Sequence, residues 1–154
     1  MYNPTELSAD DRARLTAALK SVMGDTYALY VKTHGYHWNV TGPRFKSLHE
    51  MFMEQYTELW TALDEIAERI RTLGEFAPGS TEQILEHATI KPDNSQPDAD
   101  SMVENLAKGH DMLSTTLKKA LDVADEIGDD VTVDLFTQRM TVSQKTAWML
   151  RSSL

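Results

Sequence analysis

HWNVTGPRFKSLHEMFMEQYTELWTALDEIAERI, residues 37–70, decides how this chain is read. Phe45, Leu48, Phe52, Leu59, Leu63, Ile66, Ile70 and Leu73 recur at three- and four-residue steps, with Met51 and Tyr56 beside them. That period is a helix with one apolar stripe. Its start lies near Pro43, after the turn "NVTGP", and its end at Gly74, a suitable C-terminal glycine. Working backward, Leu15, Leu19, Val22, Thr26, Tyr30, Thr33 and His37 form the stripe of an earlier helix. Ser8 and Asp11 resemble a capping box at its start.

Working forward, "EFAPGSTEQILEHATIKPDNSQPDADS" is a long connection in which Ser80 and Gln83 predict a short capped helix. A third long helix follows over about 100–127, with Met102, Leu106, Gly109, Leu113, Leu117 and Leu121 inward, and "GDD" stops it. A fourth runs from about Asp130 to the end, where Leu135, Val142 and Met149 recur at heptad spacing. The expected fold is all-α: a four-helix bundle whose second and third long helices are joined by a crossover carrying the short helix. At 154 residues, the simplest organisation is a single domain over 1–154.

Composition narrows the function. The chain is 41% hydrophobic and 25% charged, with no apolar run near the ~20 residues of a membrane span. The start "MYNPTELSADDRAR" lacks a signal-peptide pattern, so a cytoplasmic address is expected. No cysteine is present, which removes disulfides and thiolate metal sites. A net charge of −9 favours cations and opposes binding to a phosphate backbone.

His37, His49, Asp64 and Glu68 are metal-type side chains, and nitrogen with carboxylate oxygen suits iron, manganese or zinc. Each has a plain reading as well. His37, on an apolar stripe, is ordinarily a satisfied core histidine; His34 is a helix-end hydrogen-bonder; "DEIAER" is ordinarily a solvated face. Asp64 and Glu68 are four apart and border the buried stripe. Fifteen residues separate His49 from Asp64, about 22 Å along a helix at ~1.5 Å per residue. Ligands stand about 2 Å from a metal, so these residues cannot share one ion within a chain. A two-fold axis that lays two copies of the helix antiparallel brings them together, giving two sites per dimer. None of the five histidines follows a Glu by three residues, which argues against a di-iron site inside one bundle.

"HWNVTG", "LHEMF", "YTEL", "DEIAERIRTLG" and the tail "TQRMTVSQKTAWMLRSSL" resemble the Dps family of mini-ferritins, DNA-binding proteins from starved cells. The resemblance implies a ferritin-like bundle that assembles into a hollow dodecamer. It implies oxidation of Fe(II), preferentially with hydrogen peroxide, and storage of ferric mineral. The ferroxidase centres would lie between two-fold-related chains, with His37 and His49 from one and Asp64 and Glu68 from the other. Trp38 would stand beside the site as a scavenger of an oxidising equivalent, its plain reading being helix-end packing. Asp125, Asp130 and Asp134 resemble the family's acidic iron-entry pore, although acidic residues at a helix start also serve as caps. One turn after His49 the family commonly has Asp or Glu at a second iron; here the residue is Met53, a poor Fe(II) partner. One firm metal site and a weak second one are expected.

Two rival functions remain at this level. A nucleoid-condensing protein is opposed by "MYNPTELSADD", which has Glu6, Asp10 and Asp11 but no Lys or Arg, and by a C-terminus with only Arg151 near its end. The other rival is a structural bundle holding zinc without redox chemistry, since zinc suits the same ligands.

Overall fold

The computed structural model describes residues 6–154; residues 1–5, the start of the acidic N-terminal segment, lie outside the described residues. The order is α1 (Ala9–Asn39), α2 (Phe45–Thr72), the short α3 (Thr81–Leu85), α4 (Ala99–Ile127) and α5 (Asp130–Arg151). No strand occurs among the described residues. Each start is capped by a side-chain oxygen where the sequence offers one. Ser8 accepts from the Asp11 N–H at 3.1 Å, Ser80 from Gln83 at 3.2 Å and Asp98 from Ser101 at 2.8 Å. Such caps satisfy N–H groups that have no partner inside the helix. Gly128 ends α4 at φ +84°, a left-handed conformation that only glycine adopts without cost.

Helix α1 pairs with α2 and α4 with α5, and the α1–α4 contact joins the two hairpins. The connection after α2 carries α3 back onto α1. Gly24 makes this approach feasible, since a Cβ there would lie 2.8 Å from the backbone of both His87 and Ala88. Leu15, Leu19, Leu29, Phe52, Leu59, Ile66, Leu106, Leu113, Leu117 and Phe136 fill the core at no more than 1% exposure. The expected four-helix bundle with a helix in its crossover is thus the fold.

Two details of the sequence reading need correction. Phe45 is 44% exposed instead of continuing the α2 stripe. It precedes the first buried turn and stacks on His49, 4.9 Å between ring centroids. On α5 the buried residues are Thr132, Phe136, Arg139, Ser143, Ala147 and Leu150, whereas Leu135 and Val142 are half-buried and Met149 is exposed. The heptad of large apolar residues is therefore rotated off the true inner face. That face carries polar side chains with internal partners. Arg139 forms a two-pronged ion pair with Glu58 of α2, at 2.6 and 2.7 Å. Arg69 of α2 similarly grips Asp129, at 2.9 and 3.0 Å, and donates to Thr132. A planar guanidinium matches a carboxylate in this way, so α2 meets α5 through arginine forks.

Candidate metal centre

The turn after α1 builds the centre. Val40 leaves the helix in extended conformation, its N–H still bonded to the Tyr36 carbonyl at 2.9 Å, and Gly42 takes φ +108°. The chain re-enters a helix at Phe45, which sets His37 from the last turn of α1 against His49. Their rings stack, 3.8 Å between centroids and 14° between planes. His37 Nδ1 lies 2.6 Å from the His49 carbonyl oxygen, and His49 Nδ1 lies 2.7 Å from the His37 carbonyl oxygen. A carbonyl only accepts, so each Nδ1 carries a proton and donates it. With Nδ1 committed as a donor, Nε2 is the nitrogen left to offer a lone pair, the orientation that metal-binding histidines commonly require.

An aromatic wall stands around this pair. Tyr56 is edge-on to His37 at 5.2 Å and stacks on His34 at 3.9 Å. The Tyr30 hydroxyl is 3.0 Å from His34 Nδ1, as a helix-end hydrogen-bonder would have it. Burial, and secondarily His37, push the His34 pKa down. Trp38 is 65% exposed, and its ring neighbour is His34, at 4.3 Å.

Asp64 and Glu68 are elsewhere. Both are exposed, toward the other end of α2. Among the described residues, no group of three or more His, Asp or Glu in one chain can hold a metal ion. His37 and His49 lie together, and Asp64 and Glu68 do not join them within one chain.

A model of the ferritin-like domain matches residues 16–154. A DNA protection during starvation protein from Bacillus anthracis is 39% identical over 136 residues, covering 88% of this chain and 93% of that protein. A low temperature-induced protein from Nostoc is 41% identical over 148 residues, 95% of this chain and 83% of the relative. The crystal structure of a Dps protein from Vibrio cholerae, described as a member of the ferritin-like diiron-carboxylate superfamily, superposes with TM-score 0.90. It is 34% identical, with 95% of this chain and 92% of that one covered. This chain belongs to the Dps family.

The three acidic residues that resemble an entry pore lie around the α4–α5 break of this Dps protein. Asp125, Asp130 and Asp134 are all exposed, and Gln138 donates to Asp134 at 2.7 Å. Asp134 and Glu68 line one shallow groove between α2 and α5. Asp129, in contrast, is fully buried, caps α5 and binds Arg69, so its role is structural.

Sequence reasoning passed over His110. It is 2% exposed in the bundle interior, with Nδ1 3.3 Å from the Ser143 hydroxyl and no hydrogen-bond partner at Nε2. Burial above all, then the Arg139 charge, lower its pKa to about 4, so the folded protein holds it neutral. From pH 6.5 down to about 4 the unfolded chain takes up a proton that the fold refuses, and stability falls with pH. The full penalty is on the order of 3 kcal/mol once pH is below the folded value. Urea unfolding of His110→Gln between pH 7 and 4 is expected to show a shallower loss than the parent; equal slopes would refute this origin.

Proposed function

We propose that this Dps protein is a ferroxidase and iron store, with Fe(II) and hydrogen peroxide as substrates. One observation carries the reading. The His37 and His49 rings lock each other into the ligating tautomer, while the carboxylates that would complete a hard-metal site stand too far along the same helix. Two-fold pairing of chains supplies Asp64 and Glu68 from the neighbour, and closed repetition of the pair gives the dodecameric shell. A carboxylate pair offsets the charge of Fe(II) and favours its oxidation to Fe(III); the imidazoles fix its position. Two Fe(II) ions each lose one electron, the peroxide O–O bond is cleaved, and both oxygens end at the oxidation level of water. Paired transfer avoids the one-electron route to hydroxyl radical. Trp38 and its neighbour His34 lie at the rim, where the indole can quench a stray oxidising equivalent. Asp125, Asp130 and Asp134, repeated about a three-fold axis, would draw cations inward.

Anaerobic loading with Fe(II) followed by peroxide is the direct test. A fast phase consuming two Fe(II) per peroxide with little radical formation is expected. Slow oxidation with abundant radical would overturn the proposal.

The names of relatives point to DNA protection, yet this chain carries net charge −9 and has no Lys or Arg before Arg12. Binding to duplex DNA through phosphate contacts needs clustered cations. No mobility shift is expected at low salt without divalent ions, and a robust shift there would show direct binding.

A further inference from the structure

His34 stands where the rings around the histidine pair meet. Its imidazole lies between Tyr56, stacked at 3.9 Å between centroids, and Trp38, at 4.3 Å. Tyr30, one turn earlier on α1, is edge-on to His34 at 5.6 Å and places its hydroxyl 3.0 Å from His34 Nδ1. Tyr56 also links Tyr30 to the metal-type histidines, its centroid 6.2 Å from that of Tyr30 and 5.2 Å from that of His37. Neighbouring rings therefore run from His37 to a phenol that is hydrogen-bonded to a base. Of the aromatic side chains beside His34, Tyr30 is the one whose hydroxyl meets its nitrogen. Tyr30 is half-buried and packs on the bundle core, whereas Trp38 is 65% exposed.

A phenol gives up an electron readily only when its O–H proton has somewhere to go, because the oxidised phenol is a very strong acid. An unprotonated imidazole nitrogen at hydrogen-bond distance is such an acceptor. We propose that Tyr30 donates this bond to His34, and that the pair is a reversible trap for a one-electron oxidising equivalent that escapes the iron reaction. This role deepens the ferroxidase reading and rests on it for its oxidant. When one Fe(II) reacts alone, it gives one electron to peroxide, and the O–O bond breaks into hydroxide and hydroxyl radical. An electron from Tyr30, passed through the neighbouring rings, reduces that radical to hydroxide, while the phenolic proton moves to His34 Nδ1. A second Fe(II) then returns an electron to the phenoxyl radical, and His34 gives the proton back. The sum is two Fe(II) oxidised and one peroxide reduced to two hydroxide ions, with the tyrosine restored.

The test is freeze-quench electron paramagnetic resonance of the assembled protein, loaded anaerobically with one Fe(II) per site and mixed with excess peroxide. A tyrosyl radical is expected, identified by the narrowing of its spectrum when ring-deuterated tyrosine is incorporated. Its high-field g values should be those of a hydrogen-bonded phenoxyl. Tyr30→Phe keeps the aromatic ring and is expected to remove most of this signal, with a matching rise in spin-trapped hydroxyl radical. His34→Phe keeps a ring in the stack without a nitrogen. It is expected to lower the radical yield and to move what remains to the higher gx of a phenoxyl without a hydrogen bond. No tyrosyl signal at all, a signal undiminished in Tyr30→Phe, or yield and g values both unmoved by His34→Phe would overturn the proposal. A Tyr30-dependent radical in a protein without a fast two-iron phase would support the pair and defeat the ferroxidase reading. A fast phase with a radical independent of Tyr30 would do the reverse.

Discussion

Co-expressing His49→Ala chains with Asp64→Ala chains is expected to restore fast iron oxidation at about a quarter of the sites, although each variant alone has none. The reason is symmetry. An isologous dimer holds two sites, each taking its histidines from one chain and its carboxylates from the other. In a mixed dimer one site inherits both lesions. The other pairs the intact His49 of one chain with the intact Asp64 of its neighbour. Random pairing of equal amounts makes about half the dimers mixed, and half their sites complete. A site contained within one chain predicts no recovery at all, because every chain then carries its own lesion. Stopped-flow oxidation of the purified mixture, against each variant alone, measures the difference. The same experiment tests the distance argument, since about 22 Å of helix between His49 and Asp64 leaves no other way for them to act together.

Asp25→Ala is expected to be the most destabilising single substitution proposed for this chain, by about 3–5 kcal/mol. Asp25 is fully buried on α1. Its carboxylate accepts from the Thr89 N–H at 2.6 Å, the Thr89 hydroxyl at 2.8 Å, the Ile90 N–H at 3.0 Å and the Thr116 hydroxyl at 2.6 Å. One side chain therefore ties the crossover after α3, and α4, to the first helix. Alanine leaves four donors without an acceptor and opens a polar void, and each unsatisfied buried group costs about 1–3 kcal/mol before relaxation or water entry. Asp25→Asn keeps the shape but turns one acceptor into a donor, so an intermediate loss is expected. Thermal unfolding at fixed protein concentration, which holds assembly constant, should show a fall of roughly 10 °C for the alanine variant. A change under about 1 kcal/mol would mean that the crossover is held by its apolar contacts alone. Ile84 and Ile90, both buried, supply those contacts.

Asp25 also shows where sequence reading stops. It lies between Val22 and Leu29, both fully buried, whereas the stripe read from the sequence runs through Thr26 and Tyr30 and passes over it. Nothing in the sequence named its partners, because three of the four donated bonds come from residues 64 or 65 positions away and the fourth from 91. Helix α5 makes the same point. Its large apolar residues suggested one face, yet Arg139 and Ser143 occupy the interior because Glu58 and His110 are there to meet them. Hydropathy assigns a polar residue outward by default, and only a partner from another helix reverses that.

The helices, their caps and the crossover were legible in the sequence because they depend on local terms: a three-to-four-residue apolar period, Ser8, Ser80 and Gly128 at the ends, Pro and Gly in the turns. So was the separation of the two ligand halves, since helix rise is fixed by covalent geometry. Only the tertiary structure decided that His37 and His49 stack and lock each other's tautomers. That depends on how α1 and α2 turn about Gly42, and the hydrogen bonds run between a ring on one helix and a carbonyl on the other. A sequence can specify which residues bear lone pairs; packing decides which of those lone pairs stay free.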